Sequence, residues 1–365
     1  MDRRRFLIGG GAVVLAVGTI GGIVRARMGS MPGYAAAQAE LRRGLAQNSP
    51  IRDLVRFAAL APSGHNTQPW RFQVSEQELA ILPDFTRRTP VVDPDDHHLW
   101  ISLGCAAETL AIAAHQLGRG GELIFGGPGS NRLSYMFGSE QQREPKLFGA
   151  ITQRQSTRSV YTGQQASTAQ LEQLTKAAQI DGVAMALVTA PPMLDRLADL
   201  VATGNSAQWA DPAFVRELRH WLRFNPHAAL AHGDGLFSAA SGSPVLPSWL
   251  GPTLFNLTFD AAADNAKYRD QLRSSAGVAV FAGAKADPEH WIKVGRAAQR
   301  FLLQATALGM KAAFVNQPVE VPALRGELAA LAGLPGLRPD LLIRFGFGDA
   351  MPYSPRRPVA AVVVP

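Results

Sequence analysis

Two stretches of this chain, 191 positions apart (292 minus 101), repeat the sequence pattern of one helix. Residues 101–118 and 292–309 share seven identical residues among eighteen aligned pairs. Their small residues fall on one helical face, which would let another backbone pack closely, and each closing glycine suits a helix C-terminus. Each copy leads into a short run, 122–125 or 311–315, that predicts a strand. The repeat therefore predicts a duplicated domain, a dimer fused into one chain, unless two alanine-rich helices agree by chance.

A polar loop precedes the first of these helices. Residues 61–72 read A-P-S-G-H-N-T-Q-P-W-R-F, between a short amphipathic run and a strand-like segment. Proline and glycine end the helix, so the loop presents a dense set of donors and acceptors where a scaffold can hold a ligand. These polar side chains are Ser63, His65, Asn66 and Gln68. A plain helix-to-strand turn with Trp70 in the core would give the same pattern.

A basic segment opens the second half of the chain. Residues 151–158 read I-T-Q-R-Q-S-T-R and supply Arg154, Ser156 and Arg158. Arginine forks match phosphate oxygens, and a hydroxyl or amide near a helix start can complete a phosphate cradle. Such a basic cluster is also typical of a solvated surface, so both interpretations stay open from spacing alone.

The loop pattern P-S-x-x-N-x-Q-P-W resembles the flavin-facing loop of the nitroreductase superfamily, whose members bind FMN at a subunit interface. The segment 154–158 resembles the superfamily's R-R-S-x-R opening, from which it departs at Gln155. With the internal repeat, residues 51–364 resemble the single-chain, double-domain Acg-like branch. The resemblance implies an α+β, nitroreductase-like fold with mixed or antiparallel sheets. Two related halves would form an intrachain pseudo-dimer around the two repeated helices.

The same resemblance implies one combined FMN site per chain, because only one half has the loop and only the other has the arginine opening. Residues Ser63, His65, Asn66 and Gln68 would line the ring, and Arg154, Ser156 and Arg158 would bind the phosphate. Arg356 and Arg357 would join them on the phosphate. Asn316 and Gln317 would either bond the ring edge or only make a turn. Relatives need no obligatory acid or base, so no catalytic side chain is named.

The first thirty residues predict a targeting segment. Twin arginines precede Phe6 and Leu7, and residues 6–24 form an uncharged apolar run close to the roughly 20 residues that span a bilayer. This start resembles a twin-arginine export signal, which implies a periplasmic protein or one anchored to the outer face of the cytoplasmic membrane. No clean cleavage site follows, so cleavage and retention as an anchor both stay open.

The rest of the chain divides around these features. The expected division is a signal or anchor at 1–30, a linker or mobile helix at 31–50, a first nitroreductase-like half at 51–150 and a second at 151–365. The second half carries an aromatic insert at about 203–257 with no counterpart in the first half. That insert is either a lid over the flavin or a surface excursion with its own small cluster.

Composition and missing motifs exclude several classes. Hydrophobic content of 47% with 18% charged residues describes a globular protein, and the charge of +7 forms no basic stripe typical of nucleic-acid binding. The single cysteine, Cys105, excludes an intrachain disulfide and reads as a core residue. The run D-P-D-D-H-H at 93–98 predicts a solvated helix start rather than a metal site.

Three functions follow as hypotheses. The first is an FMN oxidoreductase that passes hydride or electrons to a nitro compound, quinone or similar acceptor, with NAD(P)H or a membrane quinol as donor. The second is a protein that binds or sequesters FMN without turnover. The third is a flavin-free structural protein of the envelope. In each case a monomer is expected, since the dimer is already inside the chain.

Overall fold

The computed structural model describes residues 27–46, 49–126, 130–140, 142–258 and 260–365. The export signal expected at residues 1–30 falls almost wholly outside them. Within those ranges, no helix combines the length and the apolar character that crossing a membrane requires.

The first half of the chain forms helices on one four-stranded sheet. Its elements in chain order are α1 Met31–Leu41, α2 Ile51–Ala58, β1 Trp70–Val74, β2 Glu78–Pro83, α3 His97–Gln116, β3 Gly120–Phe125, β4 Leu133–Glu140 and α4 Pro145–Ile151. The order across the sheet is β1-β2-β4-β3, and every pairing is antiparallel.

The second half has a sheet of the same kind and a long helical insertion. Its elements are α5 Thr168–Ala177, β5 Val183–Val188, α6 Pro191–Ala210, α7 Pro212–His220, β6 Leu222–Arg223, α8 Pro226–His232, β7 Leu236–Phe237, α9 Gly251–Thr258, α10 Ala261–Arg273, β8 Gly277–Gly283, α11 Pro288–Ala307, β9 Lys311–Phe314, α12 Gln317–Glu320, α13 Arg325–Leu331, β10 Leu341–Gly346 and α14 Val359–Val362. The sheet order is β5-β8-β10-β9, again antiparallel throughout.

The two sheets repeat one topology. In each, two strands are followed by a 20-residue helix (α3 or α11) and then by two more strands, with the last strand inserted beside the second. The difference lies between the first two strands: β1 and β2 join by a tight turn, whereas residues 189–276 separate β5 from β8. The α+β architecture is confirmed, and the common strand order supports the duplication expected from the sequence.

Helices α3 and α11 cross at a pair of glycines. A Cβ added to Gly104 would lie 2.1 Å from the carbonyl oxygen of Ile292, and one added to Gly295 would lie 2.0 Å from that of Ile101. The Cys105 thiol donates a hydrogen bond to the Gly295 carbonyl at 3.2 Å. The expectation that the two repeated helices pack on each other through their small residues is therefore confirmed.

Residues 31–41 form a docked helix within the segment 31–50, which is expected to be a linker or a mobile helix. Ser30 caps α1 by accepting a hydrogen bond from the backbone of Gly33. Tyr34 is 1% exposed, packs against Phe237 and donates to the carbonyl of Tyr353 at 2.7 Å. Alanine-rich sequence alone could not show this docking, because the contacts come from residues about 200 to 320 positions away.

The C-terminal tail crosses from the second half to the first. The Val364 amide donates to the Phe72 carbonyl at 2.9 Å, and Val363 makes an isolated parallel bridge with Phe72 at the edge of the first sheet. This crossing carries residues 353–357 past the polar loop at 61–69.

Candidate cofactor site

The loop between α2 and β1 has a strained backbone. His65, Asn66 and Gln68 have φ angles of 44°, 54° and 53°, in the left-handed region that side chains other than glycine rarely adopt. Each such residue costs of order 1 kcal/mol or more and persists only where its surroundings hold it, which happens often at ligand sites. What holds this loop is a set of side-chain amides.

Asn66 ties the loop to the insertion and to the tail. Its Nδ2 donates to the carbonyls of Gly235 and Pro355, both at 3.0 Å, and its Oδ1 accepts from Arg356 at 2.9 Å. Both ends of the amide are therefore occupied by protein. Its part is to fix the loop and to orient Arg356.

Gln68 has the same role. Its Nε2 donates to the Gly233 carbonyl at 2.8 Å, and its Oε1 accepts from the Arg357 amide at 2.9 Å. The side chain is fully buried and does not line the cavity described next. The Arg357 guanidinium in turn bonds the carbonyls of Gln68 and Ala361, so it also lies away from the cavity.

A cavity of about 740 Å³ lies between the loop, helix α3, the insertion and the end of β9. Its volume lies within the range of ordinary ligand pockets. Ser63 and His65 line it from the loop, and Asn316 and Gln317 from the segment after β9. Burial lowers the pKa of His65 to about 4, with the charge of Arg158 adding to the effect, so its imidazole is neutral.

A small side pocket, here called the arginine niche, adjoins the cavity. The niche is lined by four arginines, Arg42, Arg154, Arg158 and Arg356, together with Ser63, Asn66, Ser156 and Ser354 among others. No acidic residue is among its described lining. Ser63 and Arg158 line both spaces, so the niche opens beside the polar loop.

The niche arginines have donors without partners. Arg154 bonds the Leu60 carbonyl through Nη2 at 2.9 Å, but its Nη1 has no partner. Arg356 bonds the carbonyls of Leu60 and Ala61, and its Nε has none. Nε of Arg42 is likewise unpaired. Buried, unsatisfied donors on charged groups are costly, and an anion placed among them would satisfy them.

The pKa shifts of the niche arginines also favour a bound anion. Burial, and then the charge of Arg42, lower the pKa of Arg154 to about 10. Burial, then the charges of Arg42 and Arg154, hold the pKa of Arg356 well below its ordinary value. A doubly charged anion such as a phosphate ester would offset part of this positive charge.

Nine of the eleven residues expected to bind a cofactor line the cavity or the niche. They are Ser63, His65, Asn66, Arg154, Ser156, Arg158, Asn316, Gln317 and Arg356. The two that line neither are Gln68 and Arg357, which stabilise the loop from behind.

The insertion supplies the apolar wall of the cavity. Trp209, Phe214, Phe224 and Phe255 all line it, and the rings of Trp209 and Phe214 meet edge to face at 6.0 Å. Trp249, by contrast, is 72% exposed and does not line it. The aromatic insert is thus mainly a wall of this cavity rather than a separate surface excursion.

Asp93, His97 and His98 of the run at 93–98 are buried, so the expected solvated helix start is wrong for these three residues. Both carboxylate oxygens of Asp93 accept backbone amides at the start of α3, those of His98 and Leu99, at 3.0 Å. Nδ1 of His97 lies 2.8 Å from Asp93 and 2.6 Å from Asp95. Burial opposes charge on His97, but these hydrogen bonds prevail and raise its pKa. One ring nitrogen of His97 is thus shared by two carboxylate groups.

Sequence reasoning missed Arg42, His98 and Glu320 as site residues. Arg42 belongs to the segment interpreted as a linker, and no local motif marks it. His98 was assigned to the solvated turn, and Glu320 follows the strand end by several residues without any pattern. Only the fold brings these three to the cavity or the niche.

The chain resembles known proteins over most of its length. No protein-family model matches it. It is 28% identical over 329 residues to a Mycobacterium tuberculosis (strain H37Rv) protein described as "Putative NAD(P)H nitroreductase Rv3131", with 86% of this chain and 90% of that one covered. A second protein from that strain, "Putative NAD(P)H nitroreductase acg", is 24% identical over 326 residues, covering 86% and 94%.

Solved structures with weaker likeness include the FMN-dependent nitroreductase NfnB from Mycobacterium smegmatis in complex with NADPH. It is 14% identical, with 56% of this chain and 88% of that chain covered, at a TM-score of 0.37. The NADPH:FMN oxidoreductase from Vibrio harveyi complexed with NAD+ is 15% identical, with 60% and 76% covered, also at a TM-score of 0.37. Scores of this size establish no detail of the site. By its sequence the chain is a homologue of proteins described as NAD(P)H nitroreductases, the Acg-like ones among them.

Proposed function

We propose that this protein is an FMN-dependent oxidoreductase of the nitroreductase type. The observation that carries the proposal is the arginine niche, which has four cations, unpaired donors and no described acid, beside a cavity of about 740 Å³. The names of the sequence relatives support the same activity. Bound FMN would supply the hydride and electron transfer.

The residues present fit the phosphate of FMN. Arg42, Arg154, Arg158 and Arg356 would hold it, and the Ser156 hydroxyl would donate to it. In the cavity, Gln317 Oε1 lacks a partner among the described residues and His65 Nδ1 is also unpaired, so both can bond polar atoms of a ring edge. Asn316 is held in place because its Oδ1 accepts from the Leu342 amide at 2.9 Å.

The aromatic wall determines which acceptors would fit. Trp209, Phe214, Phe224 and Phe255 favour a flat, apolar molecule, such as an aromatic nitro compound or a quinone, on the side of the cavity that faces the insertion. The wall would also keep water from the reacting atoms. The donor would be NAD(P)H, as in the names of the relatives, or a membrane quinol.

The location in the cell is also a proposal, supported by residues 1–30 alone. Their twin arginines and apolar run favour export in the folded state, to the periplasm or to the outer face of the cytoplasmic membrane. NAD(P)H is scarce there, which is why a quinol donor deserves a test.

A second candidate is FMN binding without turnover. The observation in its favour is the insertion itself, because a wall that closes over the acceptor side would block substrates as well as water. The two candidates differ in whether bound flavin can be reduced from outside.

One experiment separates them. The visible spectrum of folded, purified protein is recorded, and NADPH, NADH and a quinol are then added anaerobically. Flavin absorbance that bleaches and returns with a nitro compound or quinone supports the oxidoreductase. Flavin that stays oxidised with every donor supports sequestration, and protein that takes up no FMN contradicts both.

A further inference from the structure

Glu320 is an acidic side chain on the wall of the proposed flavin cavity. It is the last residue of α12, and its side chain is 17% exposed. Its Oε2 accepts a hydrogen bond from Gln208 Nε2 at 2.5 Å, and both residues line the cavity. The carboxyl group therefore faces the space that would hold the acceptor.

No strong cation stabilises a negative charge on this carboxyl group. Its one basic neighbour within 4.0 Å in the described chain is His98, with Nδ1 at 3.9 Å from Oε1. His98 is neutral, because burial, with the charge of His97 adding to it, lowers its pKa to about 3. Among the described lysines and arginines, none reaches salt-bridge distance.

Of the charged groups around Glu320, His97 favours its ionised form, whereas Asp93 and Glu217 oppose it. From helix α6, the polar group beside the Glu320 carboxyl is the side-chain amide of Gln208. The titratable groups around it are Asp93 in the turn before α3, His97 and His98 at the start of α3, Glu217 of α7 and Tyr268 of α10. The His97 ring is hydrogen-bonded to Asp93 and Asp95, which shields Glu320 from it, and two of the other neighbours, Asp93 and Glu217, are acids. Burial raises the pKa of Glu320 to about 7 despite the opposing Gln208 hydrogen bond.

We propose that Glu320 is the proton donor for reduction of the acceptor in this cavity. The inference rests on the proposed function. Conversion of a quinone to a quinol takes two electrons and two protons, and a hydride brings both electrons with one proton. The Glu320 O–H bond breaks to give the second proton to the quinone oxygen, where a new O–H bond forms. The carboxylate then regains a proton from water.

The same balance holds for a nitro compound. A hydride and one proton convert it to the nitroso compound and water, so again an acid must supply one proton. Positioned acids of this kind contribute about 10²- to 10⁴-fold to rates, and they act best with a pKa near the working pH. A carboxyl group held neutral by its surroundings meets that requirement.

The test compares Glu320→Gln with Glu327→Gln, a matched change on the exposed face of α13. In wild-type protein, turnover with a quinone should fall as pH rises through about 7, because the carboxyl group loses its proton. Glu320→Gln should remove this decrease of turnover with rising pH. It should also lower kcat at pH 6 by about 100-fold. Its FMN affinity should stay within about two-fold, because Glu320 lies outside the arginine niche. Glu320→Asp should restore part of the rate, and Glu327→Gln should match wild type.

Stability supplies a readout that needs no turnover. A carboxyl group whose folded pKa is raised from 4.5 to about 7 favours the folded state below 4.5, and that contribution is lost as pH rises through 7. The free energy of unfolding of wild type should therefore fall relative to Glu320→Gln over this window, measured by urea unfolding at each pH.

The outcomes distinguish failure of the proton-donor role from failure of the proposed oxidoreductase function. Protein that binds no FMN contradicts the proposed function, and the stability profile then still decides whether Glu320 keeps its proton to near-neutral pH. A stability profile that Glu320→Gln leaves unchanged overturns the assignment of a neutral acid. An unaltered pH profile of kcat in FMN-loaded Glu320→Gln overturns the proton-donor role.

Discussion

Four arginines share one small space in this protein, and among the described residues no carboxylate enters it. Arg42, Arg154 and Arg356 each keep an unpaired nitrogen there. Burying like charges together is unfavourable, so the arrangement only makes sense if the folded chain normally meets an anion. The phosphate of the proposed FMN cofactor is an anion that would fit there, beside the neighbouring cavity.

Arg158 is the best residue for a phosphate test. Its guanidinium makes no hydrogen bond to another described residue, and it lines both the niche and the cavity. Arg158→Gln should therefore weaken FMN binding without unfolding the protein. The loss of a charge-assisted hydrogen bond, about 2 kcal/mol, corresponds to a roughly 30-fold higher Kd.

Riboflavin, which lacks the phosphate, provides the control ligand for that titration. Its Kd should be almost the same for Arg158→Gln and wild type, since the variant loses only phosphate contacts. The exposed change Arg52→Gln should leave both ligands unaffected. Equal weakening of FMN and riboflavin by Arg158→Gln would count against a phosphate role.

For single residues, the sequence predicted site residues that lie close together in the chain well, and those that lie far apart poorly. Arg154, Ser156 and Arg158 lie within five positions, and all three line the niche. Arg42 could not be found in this way, because the other three niche arginines are more than 100 positions away. Gln68 was expected on the ring, but its amide is occupied by residues 233 and 357, whose approach depends on the whole fold.

Among the elements, the crossing of α3 and α11 fixes the relation of the two halves. Gly104 and Gly295 face each other, and each approaches a carbonyl of the opposite helix too closely for any side chain. The sequence predicted this contact because small residues at helical spacing repeat in both copies. It also predicted β3 and β9 after the helices, with ends within about two residues of those found.

Replacing either glycine with alanine should destabilise the protein strongly. A Cβ at 2.1 Å from the Ile292 carbonyl, or at 2.0 Å from that of Ile101, must push the backbones apart. We expect Gly104→Ala or Gly295→Ala to lower the free energy of unfolding by about 3 kcal/mol, measured in urea.

The matched control is Gly149→Ala in α4, where an added Cβ meets nothing within 4 Å. That change should be neutral or stabilise the protein by up to about 1 kcal/mol, because alanine suits a helix interior better than glycine. Equal stability of all three variants would mean that the helices do not cross at these glycines.

Across the whole molecule, the repeat explains why one site per chain is expected. At the offset of 191, the cavity-lining residues Ser102 and Cys105 correspond to Lys293 and Arg296. Lys293 pairs with Glu289 at 2.7 Å, and Arg296 pairs with Glu108 at 2.8 Å. Ion pairs thus stand at positions that line the cavity in the other copy. The sequence anticipated the loss of one site from missing motifs, but not what replaced it.

The most direct measurement of the central claim is a titration of folded protein with FMN, followed by visible absorbance after removal of free ligand. The account predicts saturation at one FMN per chain, with a roughly 30-fold higher Kd in Arg158→Gln. Saturation at two FMN per chain would contradict the single combined site. Absence of binding in wild type would contradict the assignment of the arginine niche as a phosphate site.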